Sequence, residues 1–144
     1  MSKAKALAAW LDQAVETPRA WGVHDCNLWP ANWVLECTGR DPAEPWRGCY
    51  RSASGAARIV RRAGGLRALW MAAVGRVELA EARRRIVGDV GLVRLSSPGV
   101  ADVLGELVGA ICIGGGDWAV VTEGGLLMGR FSVVQAWRPE WRTR

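Results

Sequence analysis

The chain has 144 residues, half of them apolar, and a formal net charge of +5. This length supports one folded domain with its own core, and the apolar content excludes a disordered chain. No apolar run approaches the roughly 18–20 residues of a membrane span, and the start lacks the pattern of a signal peptide. We therefore expect a protein without a membrane span that is made and folded in a cytoplasm.

The four cysteines predict neither a zinc site nor disulfides. Cys26, Cys37, Cys49 and Cys112 show no C-x-x-C spacing, and the chain has a single histidine. A zinc site needs four soft ligands at close spacing, and disulfides are rare in a reducing compartment. We expect no metal and no cofactor.

Helices are predicted throughout the first half, at residues 2–15, 26–38, 52–63 and 66–74, from apolar positions at helical spacing. Ser2 is expected to cap the first helix, which buries Leu7, Trp10, Leu11 and Val15. Ser52 or Ser54 caps the third, and Gly64 ends it. The sequence predicts a short extended segment at residues 46–50 and either a helical turn or an irregular loop at residues 77–85.

The helix at residues 26–38 carries the most reactive side chain. Asp25 is a good N-cap, so Cys26 is predicted at the first helical position, where the helix dipole favours a thiolate. Gly39 is expected to end the helix. The alternative is that Cys26 is only a small buried hydrophobe, because most free cysteines are buried and inert.

From Gly88 onwards the apolar period changes from 3.6 to 2. Strands are predicted at residues 89–95, 107–113, 118–121, 126–128 and 131–137. Turns are expected at 96–99, 114–117 and 124–125, with residues 100–104 unassigned. Helices followed by antiparallel strands predict one α+β domain over residues 1–144, with a helical part at about 2–85 and a β-sheet part at about 88–138.

The order of these pieces resembles the NlpC-type cysteine peptidases, papain-like enzymes that cut peptide stems of bacterial cell walls. More closely, the chain is similar to a phage-encoded branch found among tail genes. The resemblance spans residues 21–138 and rests on Trp21-Gly22, Asp25-Cys26, Thr38-Gly39-Arg40-Asp41-Pro42, Arg47-Gly48-Cys49-Tyr50, Gly55-Ala56-Ala57-Arg58, Gly64-Gly65, Gly88-Asp89-Val90 and Ala136-Trp137-Arg138. It implies a papain-like fold with Cys26 at the nucleophile position and a histidine base at the start of the next strand after the one that the Gly-Asp turn opens.

The expected base is missing. Matching the family's His-Val-Gly-Ile strand to residues 108–111 puts the histidine position at Val108, or at Gly109 if the register slips by one. Neither residue can take a proton. His24 could serve only if its loop folded back within about 3 Å of Cys26, so a loop or capping role is its default.

The resemblance and the missing base predict a structural or assembly component of a phage tail tip with a degenerate peptidase fold. Its expected location is the virion, after assembly in the host cytoplasm, and its partners are other tail-tip or hub proteins. The alternative is an active murein hydrolase that uses Cys26, with the base from His24 or a partner chain, and peptidoglycan as substrate. Nucleic-acid binding rests on the +5 charge alone and is not favoured, because no basic stripe alternates with exposed aromatic residues.

Overall fold

A computed structural model describes residues 1–95 and 107–142 of the chain. The helices in this part are α1 (Lys3–Val15), α2 (Leu28–Thr38), a 3₁₀ helix (Glu44–Trp46), α3 (Ala53–Ala63) and α4 (Leu66–Arg76). The predicted turn at 96–99 and the unassigned segment 100–104 lie outside the described residues. None of the helices that the structure describes is long and apolar enough to cross a membrane.

Helix α1 forms as its sequence predicts, with one error in the buried face. The hydroxyl of Ser2 accepts a hydrogen bond from the backbone N–H of Lys5 at 3.2 Å, which confirms Ser2 as the cap. Leu7 is buried, but Val15 is 61% exposed and Ala14 is buried instead. Residue 14 follows Leu7 by about two helical turns, so it falls on the same face, whereas Val15 is rotated away by a further 100°.

Helices α3 and α4 form at the positions that the sequence predicts. The hydroxyl of Ser52 accepts from the N–H of Gly55 at 3.1 Å, so Ser52 is the cap of α3, and Gly64 ends it in the left-handed conformation.

The extended segment predicted at residues 46–50 is wrong. Asp41 accepts hydrogen bonds from the N–H of Ala43 and from the Arg47 side chain, which folds this stretch into a 3₁₀ turn. The sequence pattern did not show this closure by side chains.

The second half is a six-stranded antiparallel sheet in the order β1-β6-β2-β3-β4-β5. Its strands are β1 (Ala80–Glu81), β2 (Val90–Arg94), β3 (Leu107–Gly114), β4 (Asp117–Thr122), β5 (Gly125–Gly129) and β6 (Ser132–Arg138). The α+β class and the five longer strands are confirmed. Strand β1 pairs with β6 from within the stretch that the sequence left ambiguous.

The sheet must curl strongly, because of how β5 connects to β6. Only Arg130 and Phe131 join them, so the strand ends lie at most about 11 Å apart at 3.8 Å per Cα step. In a flat sheet the two strands would be separated by four strand spacings, roughly 19 Å. Curvature therefore gives the sheet an inner and an outer face.

Each face has its own apolar cluster. The outer face packs against α1, α2 and α4 through residues that include Trp33, Leu92 and Ile111. The inner face holds Cys112, Trp118 and their neighbours. The indole N–H of Trp33 donates to the carbonyl of Gly88 at 2.9 Å, which ties α2 to the Gly-Asp turn that opens β2.

Candidate functional site

A tight turn before α2 positions the candidate site. Ala20 and His24 exchange two backbone hydrogen bonds, with N···O distances of 2.8 and 2.7 Å. Gly22 lies inside the turn at φ +83°, a conformation that glycine adopts without steric cost. A Cβ at this position would also collide with the carbonyl oxygen of Tyr50. The glycine of the Trp21-Gly22 motif is therefore required by the backbone.

The carboxylate of Asp25 is buried and fully engaged. One oxygen accepts from the N–H groups of Asn27 at 3.1 Å and Leu28 at 2.8 Å. The other accepts from the N–H of Gly22 at 2.9 Å and from the hydroxyl of Tyr50 at 2.6 Å. A carboxylate that is 1% exposed needs such donors, since an unpaired buried charge is costly. Asp25 thus accepts from the first free N–H groups, as predicted, but the N-cap position of α2 is occupied by Asn27.

Tyr50 links the turn to the segment before α3. Burial and the neighbouring Asp25 carboxylate raise the pKa of Tyr50, so the phenol stays protonated and donates to that carboxylate. A Cβ on Gly55 would lie 3.1 Å from the Cβ of Tyr50, which explains the small residue there. The motifs that contain Asp25, Tyr50 and Gly55 are separate in the sequence, and they meet at the Tyr50 side chain.

Cys26 does not occupy the first helical position, so this part of the prediction is wrong. Helix α2 begins two residues later, at Leu28. The reason is that Pro30 has no N–H to donate to the Cys26 carbonyl, although the N–H of Trp29 does reach the carbonyl of Asp25 at 3.0 Å. Cys26 is 3% exposed and belongs to the inner apolar cluster.

His24 lies partly buried in the turn, two residues before Cys26. Burial lowers its pKa, and the Asp25 carboxylate only partly opposes this shift, so the imidazole is neutral at pH 7. Its Nε2 atom is buried and has no hydrogen-bond partner among the described residues. A neutral ring with an unpaired nitrogen is chemically able to accept a proton, but a base must also reach the thiol.

Of the two residues at the predicted base position, Gly109 lies against the backbone of Cys26, whereas Val108 belongs to the same apolar cluster as Cys26. A Cβ built on Gly109 would lie 2.5 Å from the carbonyl oxygen of Cys26 and 2.6 Å from Cζ2 of Trp70. The indole N–H of Trp70 donates to the side-chain oxygen of Asn27 at 3.0 Å, which holds the ring in place. The space next to the Cys26 backbone therefore accepts no side chain from β3.

Val108 points to the opposite face of the strand, as the alternation of side chains requires. It pairs with Val93 of β2 and belongs to the inner apolar cluster, 2% exposed.

Ion pairs that are buried or half-buried account for two further pairs of motif residues, Asp41 with Arg47 and Asp89 with Arg138. Arg47 contacts Asp41 through Nε at 2.6 Å and Nη2 at 3.0 Å. Arg138 contacts the fully buried Asp89 at 2.9 and 3.0 Å, joining the start of β2 to the end of β6. These bidentate pairs hold loops and strands together rather than lining the site.

Sequence reasoning missed the hydrogen bond between Trp70 and Asn27, and it missed a cavity that both residues line. The cavity has a volume of about 70 Å³ and lies between α2, α3, α4 and the 3₁₀ helix. No sequence signal could have located it, because its walls come from four separate elements.

Within the described ranges 1–95 and 107–142, no group of three or more His, Cys, Asp or Glu side chains could hold a metal ion.

Comparison with known proteins gives one family. The model of a family described as a domain of unknown function, DUF6950, matches residues 2–139. The chain belongs to the DUF6950 family. No curated protein and no solved structure matches the chain significantly. The DUF6950 match covers all the motifs on which the sequence resemblance rests, together with α1.

Proposed function

We propose that the chain is a structural or assembly component of the tail tip of a phage or phage-like particle. Its papain-like NlpC-type fold has lost the catalytic base. Its proposed partners are other tail-tip or hub proteins, and its proposed location is the virion after assembly in the host cytoplasm. The resemblance of residues 21–138 to proteins encoded among phage tail genes supports the tail role.

The observation that carries the loss of catalysis is that neither Val108 nor Gly109 can take a proton and that no larger side chain fits at Gly109. Hydrolysis of a peptide needs a base for the thiol and a proton for the leaving amine. In the resembling enzymes a histidine on this strand does both. Here the carbonyl of Cys26 and the ring of Trp70 fill the corresponding space, and the thiol itself belongs to a buried cluster.

A genetic experiment tests the structural role. The gene is deleted from the genome that encodes it, and particles are examined by electron microscopy and mass spectrometry. We expect missing or defective tails, restored equally by the native gene and by Cys26→Ala. Normal infectious tails without the chain would refute the structural role, and failure of folded Cys26→Ala to restore them would refute the loss of catalysis.

The second candidate is an active murein hydrolase with Cys26 as nucleophile. It is favoured by the unpaired Nε2 of His24 and by the lowered pKa that keeps this ring neutral. Cleavage of purified murein and of its stem peptides separates the two candidates. Our proposal predicts no products from the isolated protein, whereas turnover that both Cys26→Ala and His24→Ala abolish would establish the hydrolase.

A further inference from the structure

The cavity beside the Cys26 turn has almost entirely apolar walls. Its lining includes Ala31 of α2, Trp46 of the 3₁₀ helix, Ile59 of α3 and Ala73 of α4. The polar lining side chains, Asn27 and Tyr50, are already engaged with Trp70 and Asp25. The volume of about 70 Å³ has room for several waters, but a water needs two to four polar partners. An apolar group is therefore the better occupant.

The cavity is reachable from outside. Ala31, Ile59 and Ala73 are partly exposed rather than buried, although they are apolar and line it. The opening therefore lies between the outer surfaces of α2, α3 and α4.

The elements around the cavity also carry the whole net charge of the protein. Residues 27–76 contain eight arginines and three acidic residues, a net charge of +5, which equals the formal charge of the entire chain. Two of the acids are already paired, Asp41 with Arg47 and Glu44 with Arg76. The surface around the opening is thus complementary to negative charge.

Helix α3 shows this combination most directly. Ile59 lines the cavity, while Arg58, Arg61 and Arg62 are exposed on the same helix. Within the described part of the chain, no ion pair involves these three arginines. Arginine beside an apolar pocket is a common composition of binding hot spots.

We infer that this cavity docks an apolar side chain carried by an acidic segment of a partner protein. The apolar side chain enters between α2, α3 and α4, and carboxylates on either side of it pair with the arginines of α3. The inference rests on the proposed function, because a structural component acts through its contacts with other proteins. It adds the place of contact and the chemistry of the partner.

The probe for this site is a displayed library of random 12-residue peptides, selected on the isolated full-length chain. We expect enriched peptides in which Leu, Phe or Met is flanked by Asp or Glu. Their affinity, measured by fluorescence anisotropy, should fall as salt rises, since part of it is electrostatic.

Two pairs of variants locate the binding. Ala73→Leu fills the cavity and should weaken binding about tenfold or more, the effect of denying one apolar side chain its pocket. Ala72→Leu, on the exposed side of the same helix, is the matched control and should change affinity less than about twofold.

The second pair of variants tests the charge. The double variant Arg58→Glu, Arg62→Glu should weaken binding at least about fivefold. Arg83→Glu with Arg85→Glu, two exposed arginines outside residues 27–76, is the control and should have little effect. Thermal unfolding confirms that each variant is folded.

Absence of selected peptides, selection of neutral or basic ones, or unchanged binding by folded Ala73→Leu would overturn the site. The gene-deletion experiment does not depend on this result, so failure of the docking site and failure of the tail role are distinguishable.

Discussion

Gly109→Ala adds one methyl group where β3 passes beneath the Cys26 turn. The new Cβ would lie 2.5 Å from the carbonyl oxygen of Cys26, 2.6 Å from Cζ2 of Trp70 and 3.1 Å from Oδ1 of Asn27. Two of these distances are under 3.0 Å, a separation that real Cβ atoms essentially never show. The variant therefore folds only if the turn or the indole ring moves.

The cost follows from which atoms must move. A flexible side chain could turn aside, but the nearest atom belongs to the backbone and Trp70 is held by Asn27. Overpacking of a well-packed core costs about 1–3 kcal/mol, and we expect about 2 kcal/mol here. For a chain of this size that lowers Tm by roughly 4–8 °C.

Thermal unfolding followed by circular dichroism measures the difference, with Gly75→Ala as the matched control. Gly75 lies in α4 and a Cβ there meets no heavy atom within 4 Å. Alanine should therefore be neutral or stabilise the helix by up to about 1 kcal/mol. A Gly109→Ala protein as stable as the native one would refute the crowding, and with it the argument that no base fits at position 109 of β3.

Three other outcomes are expected. Tyr50→Phe removes the donor that lies 2.6 Å from the buried Asp25 carboxylate and should lower the free energy of unfolding by about 1.5–3 kcal/mol in urea titration. A thiol reagent should label Cys49 rapidly in the native protein, since it is the exposed one of the four cysteines, and rapid labelling of Cys26 would contradict its burial. Because the pKa of His24 is lowered by folding, the unfolded chain binds its proton first as pH falls, so stability should decrease below about pH 6.5. His24→Gln should lose less stability over the same pH range, and parallel curves for the two proteins would contradict the shift.

The prediction from sequence worked best where one residue acts on its immediate neighbours. Ser2 and Ser52 cap helices through their own hydroxyls, and Gly39 and Gly64 end helices in the left-handed conformation. The change of apolar period at Gly88 separated helices from strands correctly. Prediction failed at residues 46–50, where a side-chain ion pair rather than local preference sets the backbone.

The residues of the candidate site were predicted from the sequence, but their packing was not. The motif indicated Asp25, Cys26 and the missing histidine on the later strand. It could not decide between Val108 and Gly109, because the choice depends on which face of β3 meets the turn. The structure places both near Cys26: Gly109 lies against the Cys26 carbonyl and the Trp70 ring, and Val108 belongs to the apolar cluster that contains Cys26.

By itself, the sequence determined the kinds of elements, their order, their caps and the α+β class, because these depend on interactions within a few residues. Only the tertiary structure decided the partners of Asp25, the crowding at Gly109 and the cavity between three helices and the 3₁₀ turn. Tyr50 reaches Asp25 across 25 positions and Gly109 meets Cys26 across a longer separation still. Such contacts follow from how the helices pack on the curled sheet, and no local pattern encodes them.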